Sequence, residues 1–217
     1  ARGALCPAAP VRTVRGMPSA PAGPRPDTEV RAYHVRATLQ LLEESEPAAA
    51  ARARARLGAA TLLSLDETSR LGWIPGLVDV ELWRAVDAEL GRHGLLRLAR
   101  RVGVRHVRAG HLSGLLEGVV QLFGLSPPAI LRWVPRGLSE VHRGVGVFRV
   151  LELSDQTARL ALDDLHPCLV GEPWLAAVAG SLELALEVCA LDGDSGLEEA
   201  GPGRAVFTLR WRPRAAP

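Results

Sequence analysis

The fold is decided by the run Gly144-Val145-Gly146-Val147-Phe148-Arg149-Val150-Leu151-Glu152-Leu153 and by its partner Thr157-Ala158-Arg159-Leu160-Ala161-Leu162-Asp163. From Val147 onward, apolar and polar side chains alternate in the first run, and the second follows across only three polar residues, 154–156. Two runs of period 2 joined by a short polar loop are typical of a β-hairpin. The sequence therefore predicts two antiparallel strands here.

The segments around this hairpin set the fold class. Pro173-Trp174-Leu175 opens an amphipathic helix after the hairpin, and the run 204–211 returns as a final strand. Upstream, helical periodicity fills residues 27–142. Such segregation of helices and strands predicts an α+β fold, with an N-terminal helical portion packed on a C-terminal antiparallel sheet of order strand-strand-helix-strand. We expect a single globular domain over residues 27–212, helical over 27–142 and with the sheet and one helix over 145–211.

Turn residues place the boundaries of the upstream helices. Asp79 is predicted to cap a helix that ends at Gly91 or Gly94, and a helix over 104–123 is closed by Gly124. A further helix begins at the proline pair 127–128 and runs toward His142, bent or broken near Pro135.

Composition limits the classes of partner. All 26 basic residues are arginine, and the net charge of +2 is too small to imply a polyanionic partner. No apolar run reaches the roughly 20 residues of a membrane span. Three cysteines give no even disulfide framework, so we expect a reducing cytoplasm. The Pro/Ala/Arg-rich residues 1–26 are predicted to be disordered, with Met17 as the natural initiator.

The sequence carries no catalytic signature, and we expect no enzyme. Gly193-Asp194-Ser195-Gly196 resembles a serine-protease loop, but Leu197-Glu198 follows it and no suitably placed histidine is present, so it is interpreted as a turn. Gly144 and Gly146 lack the third glycine of a dinucleotide fingerprint. His111, His142, His166, Cys168 and Cys189 match no zinc spacing, so no metal site is expected.

Two surfaces could bind a partner. Gly110, Gly114 and Gly118 form a stripe of bare backbone, which indicates either close helix packing or the approach of a flat ligand. Residues 90–116 carry arginines without an acidic residue between Glu89 and Glu117. These side chains are either an exposed helix face or an anion site, for which the candidates are Arg97, Arg101, Arg105 and Arg108. Nucleic-acid binding is expected to be absent.

Four phrases in the C-terminal part carry a resemblance: residues 119–124, 130–137, 174–183 and 207–211. In this order they resemble an uncharacterised paralogous family of myxobacterial type, over about residues 57–212. The closing strand-strand-helix-strand layout is similar to 4-vinyl-reductase-type and haem-NO-binding-type domains.

That resemblance implies a regulatory sensor domain that binds a small apolar or amphipathic ligand between a helical cap and the sheet. The pocket candidates are His111, Gly114, Gly118, Arg132, Trp133, Arg136 and His142. The haem-binding branch uses a Tyr-x-Ser-x-Arg triad, whereas the one tyrosine here, Tyr33, is followed by His34-Val35-Arg36. Haem is conceivable through His106 or His111 but disfavoured, and no cofactor is expected.

The alternative function is a protein–protein interaction or scaffold module, acting as a homodimer or with another protein. Trp73, Ile74 and Leu77 are expected to be exposed in an apolar loop, and contiguous apolar patches mark interfaces. The final strand is also expected near a free sheet edge, guarded against pairing by Arg210, Arg212 and Pro213.

Overall fold

The computed structural model describes residues 27–109 and 112–214 of the 217-residue chain. The predictions about the tail 1–26, about Met17, about Gly110 of the glycine stripe and about His111 fall outside these residues. The helices of the described part are α1 (Ala32–Ser45), α2 (Pro47–Arg56), α3 (Ala59–Glu67), α4 (Gly76–Ala109), α5 (Ser113–Phe123), α6 (Pro127–Leu131), α7 (Val134–Val141), α8 (Glu172–Leu182) and α9 (Leu184–Val188). The strands are β1 (Glu29–Arg31), β2 (Trp73–Pro75), β3 (His142–Arg143), β4 (Val147–Leu153), β5 (Thr157–Asp163), β6 (Leu191–Gly201) and β7 (Arg204–Pro213).

The larger sheet is antiparallel, in the order β4-β5-β7-β6. The predicted hairpin is present as β4 and β5, in which Phe148 pairs with Leu162 and Val150 with Leu160. The α+β class is confirmed. The inward side chains of β5 and β7 are fully buried, so the alternation seen in the sequence marks the face of the sheet that packs on the helices.

This sheet differs from the prediction in one strand. The 193–196 segment, expected to be a turn, lies inside β6, where Gly193 pairs with Trp211 and Ser195 with Leu209. Since β6 covers one side of β7 and β5 the other, the final strand is central, and the predicted free edge at Arg210 and Arg212 is wrong. Among the described strands, β4 and β6 form the edges of this sheet.

A second, smaller sheet joins three short strands in the order β2-β1-β3. Val30 of β1 lies opposite Ile74 on one side and His142 on the other. The segment around Trp73, expected to be an exposed apolar loop, is therefore strand β2. Ile74 is 2% exposed and belongs to the core, whereas Leu77 is exposed as predicted.

Helix α4 crosses the molecule and packs along α8. Gly91, with a φ of 64° and a ψ of 175°, is non-helical and divides this span into two helical segments, at one of the two glycines where the sequence predicted a helix end. The predicted single helix over 104–123 does not occur, because α4 ends at Ala109 and α5 begins at Ser113. The predicted break before Pro135 is present between α6 and α7, and Gly124 ends α5 with a φ of 76°.

Glycine lets α4 and α8 approach closely. A Cβ on Gly180 would lie 2.7 Å from the carbonyl oxygen of Leu96, and one on Gly103 would lie 3.1 Å from the carbonyl oxygen of Ser181. Of the two roles predicted for the glycine stripe, close helix packing does not occur at Gly114 or Gly118, where a Cβ would meet nothing within 4 Å. None of the described helices is long and apolar enough to cross a membrane.

Candidate functional site

A cavity of about 140 Å³ lies among the helices; we call it the inner cavity. Helices α4, α5, α7 and α8 supply most of its walls, and Phe148 is the contribution of the larger sheet. The predicted pocket between the helical cap and the sheet is therefore mainly a cavity between helices. Apolar side chains dominate the lining. Four of its polar residues are joined by side-chain contacts: His34, Asp79, His106 and His142.

The smaller sheet explains why residues so distant in sequence meet. Each strand leads into one of them: β1 is followed by α1, which carries His34, β2 is followed by the first turn of α4, which carries Asp79, and β3 begins at His142. Pairing of the three strands fixes these three side chains at one place. We call His34, Asp79 and His142 the His–Asp cluster.

Asp79 is the centre of the polar contacts. One carboxylate oxygen, Oδ2, accepts from Nε2 of His142 at 3.1 Å and from the indole Nε1 of Trp174 at 2.9 Å. The other, Oδ1, lies 3.6 Å from Nε2 of His34. Helix α4 begins at Gly76, so Asp79 is not the helix cap that the sequence predicted. It lies within the first turn with its side chain directed to other elements.

His34 connects the cluster to a second histidine. Its Nδ1 lies 2.9 Å from Nε2 of His106, so one of these two nitrogens carries the proton and donates it to the other. The imidazole of His106 also contacts the ring of Tyr33 edge-on, at 5.3 Å between ring centroids. Three imidazole rings thus meet in the wall of the inner cavity.

Burial sets the protonation states. Burial lowers the pKa of His34 from 6.5 to about 4, although attraction to Asp79 opposes this shift and repulsion from His142 adds to it. At neutral pH His34 is therefore an uncharged imidazole. Burial alone would raise the pKa of Asp79, but the hydrogen bonds from His142 and Trp174 and the neighbouring imidazoles lower it, so Asp79 is a carboxylate.

Two buried atoms of this network lack a hydrogen-bond partner among the described residues: Oδ1 of Asp79 and Nδ1 of His142. Asp79 is 1% exposed and His142 is 8% exposed. Buried polar atoms are nearly always satisfied, because leaving one unpaired costs about 1–3 kcal/mol. Two such atoms on neighbouring side chains in the wall of a cavity therefore mark the position of a candidate binding site.

A wider depression of about 650 Å³ adjoins the inner cavity; we call it the outer groove. Leu112, Val119 and Trp133 line both spaces. The bare backbone of α5 forms part of the floor, since Gly114 and Gly118 line the groove and carry no side chain. At its other side lie the polar groups Arg31, Tyr33, Arg136 and Glu140.

The predicted pocket residues divide between the two spaces. His142 lines the inner cavity, Trp133 lines both spaces, and Gly114, Gly118 and Arg136 line the outer groove. Arg132 is exposed and lines neither of them. His111 lies outside the described residues.

The sequence did not identify His34 or Asp79 as site residues, and it named His106 only as a disfavoured haem ligand. A signal existed for His34, because a histidine on the apolar face of an amphipathic helix is a buried polar group that requires a partner. The partners themselves lie on other elements, and no local pattern points to them.

The predicted anion site lies along α4. Arg97, Arg101 and Arg108 are exposed, whereas Arg105 pairs with Glu44 of α1 at 3.3 Å. The neighbouring Arg100 forms ion pairs with Glu183 and Glu187. Acidic side chains from other helices thus offset part of the positive charge that the sequence alone leaves unbalanced.

The predicted interface residue Trp73 is engaged within the molecule. The guanidinium groups of Arg31 and Arg143 each lie 3.9 Å from the centroid of its ring. Cys189 follows the end of α9 and packs partly buried against the core, and burial raises the pKa of its thiol to about 11.

Neither a protein-family model nor a curated protein matches the sequence. Solved structures do match the fold. The Fe(II) unliganded H-NOX protein from K. algicida superposes with a TM-score of 0.62 at 12% identity, over 86% of this chain and 98% of that one. A mutant of the T. tengcongensis H-NOX matches with a TM-score of 0.53 at 12% identity, over 84% of this chain and 97% of that one.

A third structure, from work that probed the function of heme distortion in the H-NOX family, matches at a TM-score of 0.53 and 12% identity, over 86% of this chain and 97% of that one. All three neighbours are H-NOX proteins; the first contains Fe(II) and the third is a heme protein. The expectation of no cofactor, with haem disfavoured, is therefore overturned. The layout similarity to haem-NO-binding domains is confirmed: over most of its length this chain has the fold of the H-NOX domains.

Proposed function

We propose that this protein is a non-enzymatic sensor domain that binds a small apolar or amphipathic ligand in the inner cavity and the outer groove, with haem as its cofactor. The observation that carries the proposal is the apolar cavity with neutral, buried imidazole in its wall. A cavity lined by apolar side chains with a few convergent polar groups is the usual design of a small-molecule site.

The donor chemistry of the two spaces suits haem. Histidine is a common protein ligand of haem iron, and His142 lines the cavity with Nδ1 unpaired and Nε2–H donated to Asp79. A carboxylate that accepts from the far nitrogen is the usual support of a metal-bound imidazole. Arg31, Tyr33 and Arg136 in the outer groove are donors suited to carboxylate groups.

The sizes of the two spaces define how such a ligand would be accommodated. The inner cavity, about 140 Å³, is comparable to a cavity of roughly 150 Å³ that binds benzene. A tetrapyrrole is larger and requires the adjoining groove as well, which is reached past Leu112, Val119 and Trp133. These three side chains are therefore the ones that a bound ring would displace.

When bound, haem supplies an iron centre with a position for a small molecule. The residues of the chain itself exclude water from that position through the apolar walls of α5, α7 and α8. Asp79 holds the proton at Nε2 of His142 and so keeps the lone pair of that ring at Nδ1. A sensor of this kind reports binding through the packing of the helices around the cavity.

Titration of the haem-free protein with haemin tests the proposal. We expect one haem per chain, a shifted and sharpened Soret band, and quenching of tryptophan fluorescence. Val178→Phe places a ring in the inner cavity and should weaken haemin binding, whereas Leu63→Phe, on the exposed face of α3, should not.

A Soret band identical to that of free haemin, or equal binding by both variants, would contradict the cofactor proposal. Native mass spectrometry of the protein purified from its own host tests the ligand proposal more broadly, because a retained small molecule of any kind adds a defined mass. A chain that carries no added mass and binds no haemin would contradict the sensor function.

A second candidate function is self-association, and three exposed apolar side chains favour it. Leu122 is 72% exposed and Phe123 55%, both at the end of α5, and Leu125, two residues beyond the helix, is 54% exposed. Light scattering over a concentration series tests this candidate. We expect the double variant Leu122→Ser/Phe123→Ser to lower the fraction of dimer and so the average mass at a given concentration. A chain that is monomeric at every concentration would exclude self-association.

A further inference from the structure

The His–Asp cluster is a compact group of metal-ligating atoms. One atom from each of His34, Asp79 and His142 lies within 4.8 Å of the other two. All three residues are more than nine-tenths buried, with exposures of 6%, 1% and 8%. Two imidazoles and one carboxylate form the ligand set that binds Zn²⁺ or Fe²⁺ while leaving a coordination position open.

One distance within the cluster fits a metal site better than a hydrogen bond. Nε2 of His34 and Oδ1 of Asp79 are 3.6 Å apart, which is too long for a hydrogen bond. Ligands at roughly 2.0–2.1 Å from a tetrahedral zinc ion lie about 3.4 Å from one another. The 3.6 Å separation lies close to that value. Nε2 of His142 contacts the other carboxylate oxygen, Oδ2, at 3.1 Å through the hydrogen bond described above, which a bound ion would replace.

The unpaired atom at Asp79 points to the same conclusion. Oδ1 is fully buried and accepts no hydrogen bond from the described residues, although Oδ2 accepts two. A buried carboxylate needs its charge compensated, and a cation placed between Oδ1 and the neutral His34 ring does so.

The surrounding contacts support two of the three ligands. Metal-bound histidine commonly donates a hydrogen bond from the N–H of its other ring nitrogen to an acceptor. Nδ1 of His34 is 2.9 Å from Nε2 of His106, so a metal on Nε2 of His34 leaves Nδ1–H to donate to His106. The indole of Trp174 in turn holds the carboxylate of Asp79 at 2.9 Å.

We propose that His34, Asp79 and His142 bind one divalent transition-metal ion, Zn²⁺ or Fe²⁺, with the open coordination position beside the inner cavity. Binding moves the ring proton of His142 from Nε2 to Nδ1, where it can donate to a molecule in the cavity. The site deepens the proposed sensor function, since it supplies a polar anchor in an apolar space, but it does not require haem. A neutral imidazole has only one ring nitrogen with a free lone pair, so His142 can bind either this ion or a haem iron. The two groups therefore cannot both bind at His142.

Cobalt titration of the haem-free, chelator-treated protein tests the site, because Co²⁺ replaces zinc and absorbs visible light. We expect one equivalent to bind, with d–d bands of a four- or five-coordinate ion and no sulfur-to-cobalt charge-transfer band. One equivalent of Zn²⁺ should abolish these bands. This measurement needs no variant, so it is unaffected by any loss of folding on substitution.

Variants then assign the ligands. Asp79→Asn and His142→Gln should each weaken Co²⁺ binding by at least about tenfold, the lower end of the effect of disturbing even the outer contacts of a metal site. The matched controls are His166→Gln and His93→Gln, which remove imidazoles outside the cluster and should bind as the original chain does. Far-ultraviolet circular dichroism establishes that each variant is folded.

The proposal is overturned if Co²⁺ and Zn²⁺ fail to bind at stoichiometric concentration. It is equally overturned by a thiolate charge-transfer band, which would place the ion on a cysteine, or by unchanged binding in the folded Asp79→Asn and His142→Gln variants. Haemin binding is read from the Soret band and metal binding from the d–d bands, so failure of one result is distinguishable from failure of the other.

Discussion

Trp174 and Asp79, 95 residues apart in sequence, are joined by a buried hydrogen bond of 2.9 Å from the indole N–H to the carboxylate. This bond links α8, which packs on the larger sheet, to the first turn of α4, which follows the smaller one. The ring of Trp174 also packs edge-on against His142, at 6.0 Å between centroids. One side chain therefore fixes both the position of α8 and the charge distribution of the His–Asp cluster.

Replacing Trp174 by phenylalanine keeps an aromatic ring and removes this donor. We expect Trp174→Phe to lower the free energy of unfolding by about 1.5–3 kcal/mol more than a matched substitution, the usual range for a hydrogen bond to a charged group. Trp211→Phe on β7 is the control, since Trp211 is buried but makes no side-chain hydrogen bond within the described residues. Urea denaturation measures both, and equal losses would contradict the role given to the bond.

The neutral His34 makes stability depend on pH in a defined range. Its pKa falls from 6.5 to about 4 on folding, so between these values the unfolded chain binds a proton that the folded chain does not. Stability should therefore decline as the pH falls from 6.5 to 4, by about 3 kcal/mol in total. Chelator-treated protein is followed by urea denaturation at each pH.

His34→Gln should flatten that part of the profile, whereas His93→Gln, an exposed histidine on α4, should leave it unchanged. Asp79 acts at lower pH. Because its folded pKa lies below its ordinary value, its contribution is present above pH 3.8 and is lost as the pH falls further. A profile that is flat between pH 6.5 and 4 in the original chain would contradict the neutral state of His34.

The contact between α4 and α8 predicts opposite effects for two glycine substitutions. Gly180→Ala places a methyl group 2.7 Å from the carbonyl oxygen of Leu96, so the helices must separate, and we expect a loss of about 1–3 kcal/mol. Gly118→Ala meets nothing within 4 Å and removes a flexible residue from α5, so a gain of up to about 1 kcal/mol is expected. Thermal unfolding of the two variants measures the difference, and the same sign for both would refute this account.

Tyr33 is the single tyrosine, so its titration can be read without assignment. Burial raises its pKa to about 12; the charge of Arg31 opposes the shift and that of Glu140 adds to it. Tyrosinate absorbance should therefore appear about two pH units later in the folded than in the unfolded chain, and stability should fall as the pH rises from 10 to 12.

Two variants test the causes of this shift. Arg31→Gln should raise the pKa of Tyr33 further, and Glu140→Gln should lower it. Shifts in the same direction for both would show that their charges do not act on Tyr33. The titration also reports on the outer groove, because all three side chains line it.

Local periodicity was sufficient for the hairpin but not for the strand that completes the sheet. In β4 and β5 one face is buried, and burial imposes period 2 on the sequence. Strand β6 reads Leu191-Asp192-Gly193-Asp194-Ser195-Gly196 and has no such alternation, because only parts of it face the core. Its place is set by pairing with β7 and by the close approach of the backbones at Gly193, and neither is a local property.

The His–Asp cluster could not be predicted for a related reason. The strands that assemble it are two or three residues long, too short for any periodic signal. Trp133 lies in one of the segments that carry the resemblance, and the pocket that the resemblance implies included His142. His34 and Asp79 join His142 only through tertiary pairing. The arginines of α4 illustrate the reverse case, since charges that are unbalanced in the sequence find partners such as Glu44 and Glu183 on other helices.

The three short strands of the smaller sheet also bear on the order of folding. His34, Asp79 and His142 belong to segments that no local contact joins, and Asp79 and His142 are 63 residues apart. Closing such loops costs chain entropy before any contact offsets it, so contacts of this kind form slowly. The cluster should therefore be complete only in chains whose first and middle segments have already docked, which makes occupancy of the site a direct readout of finished folding.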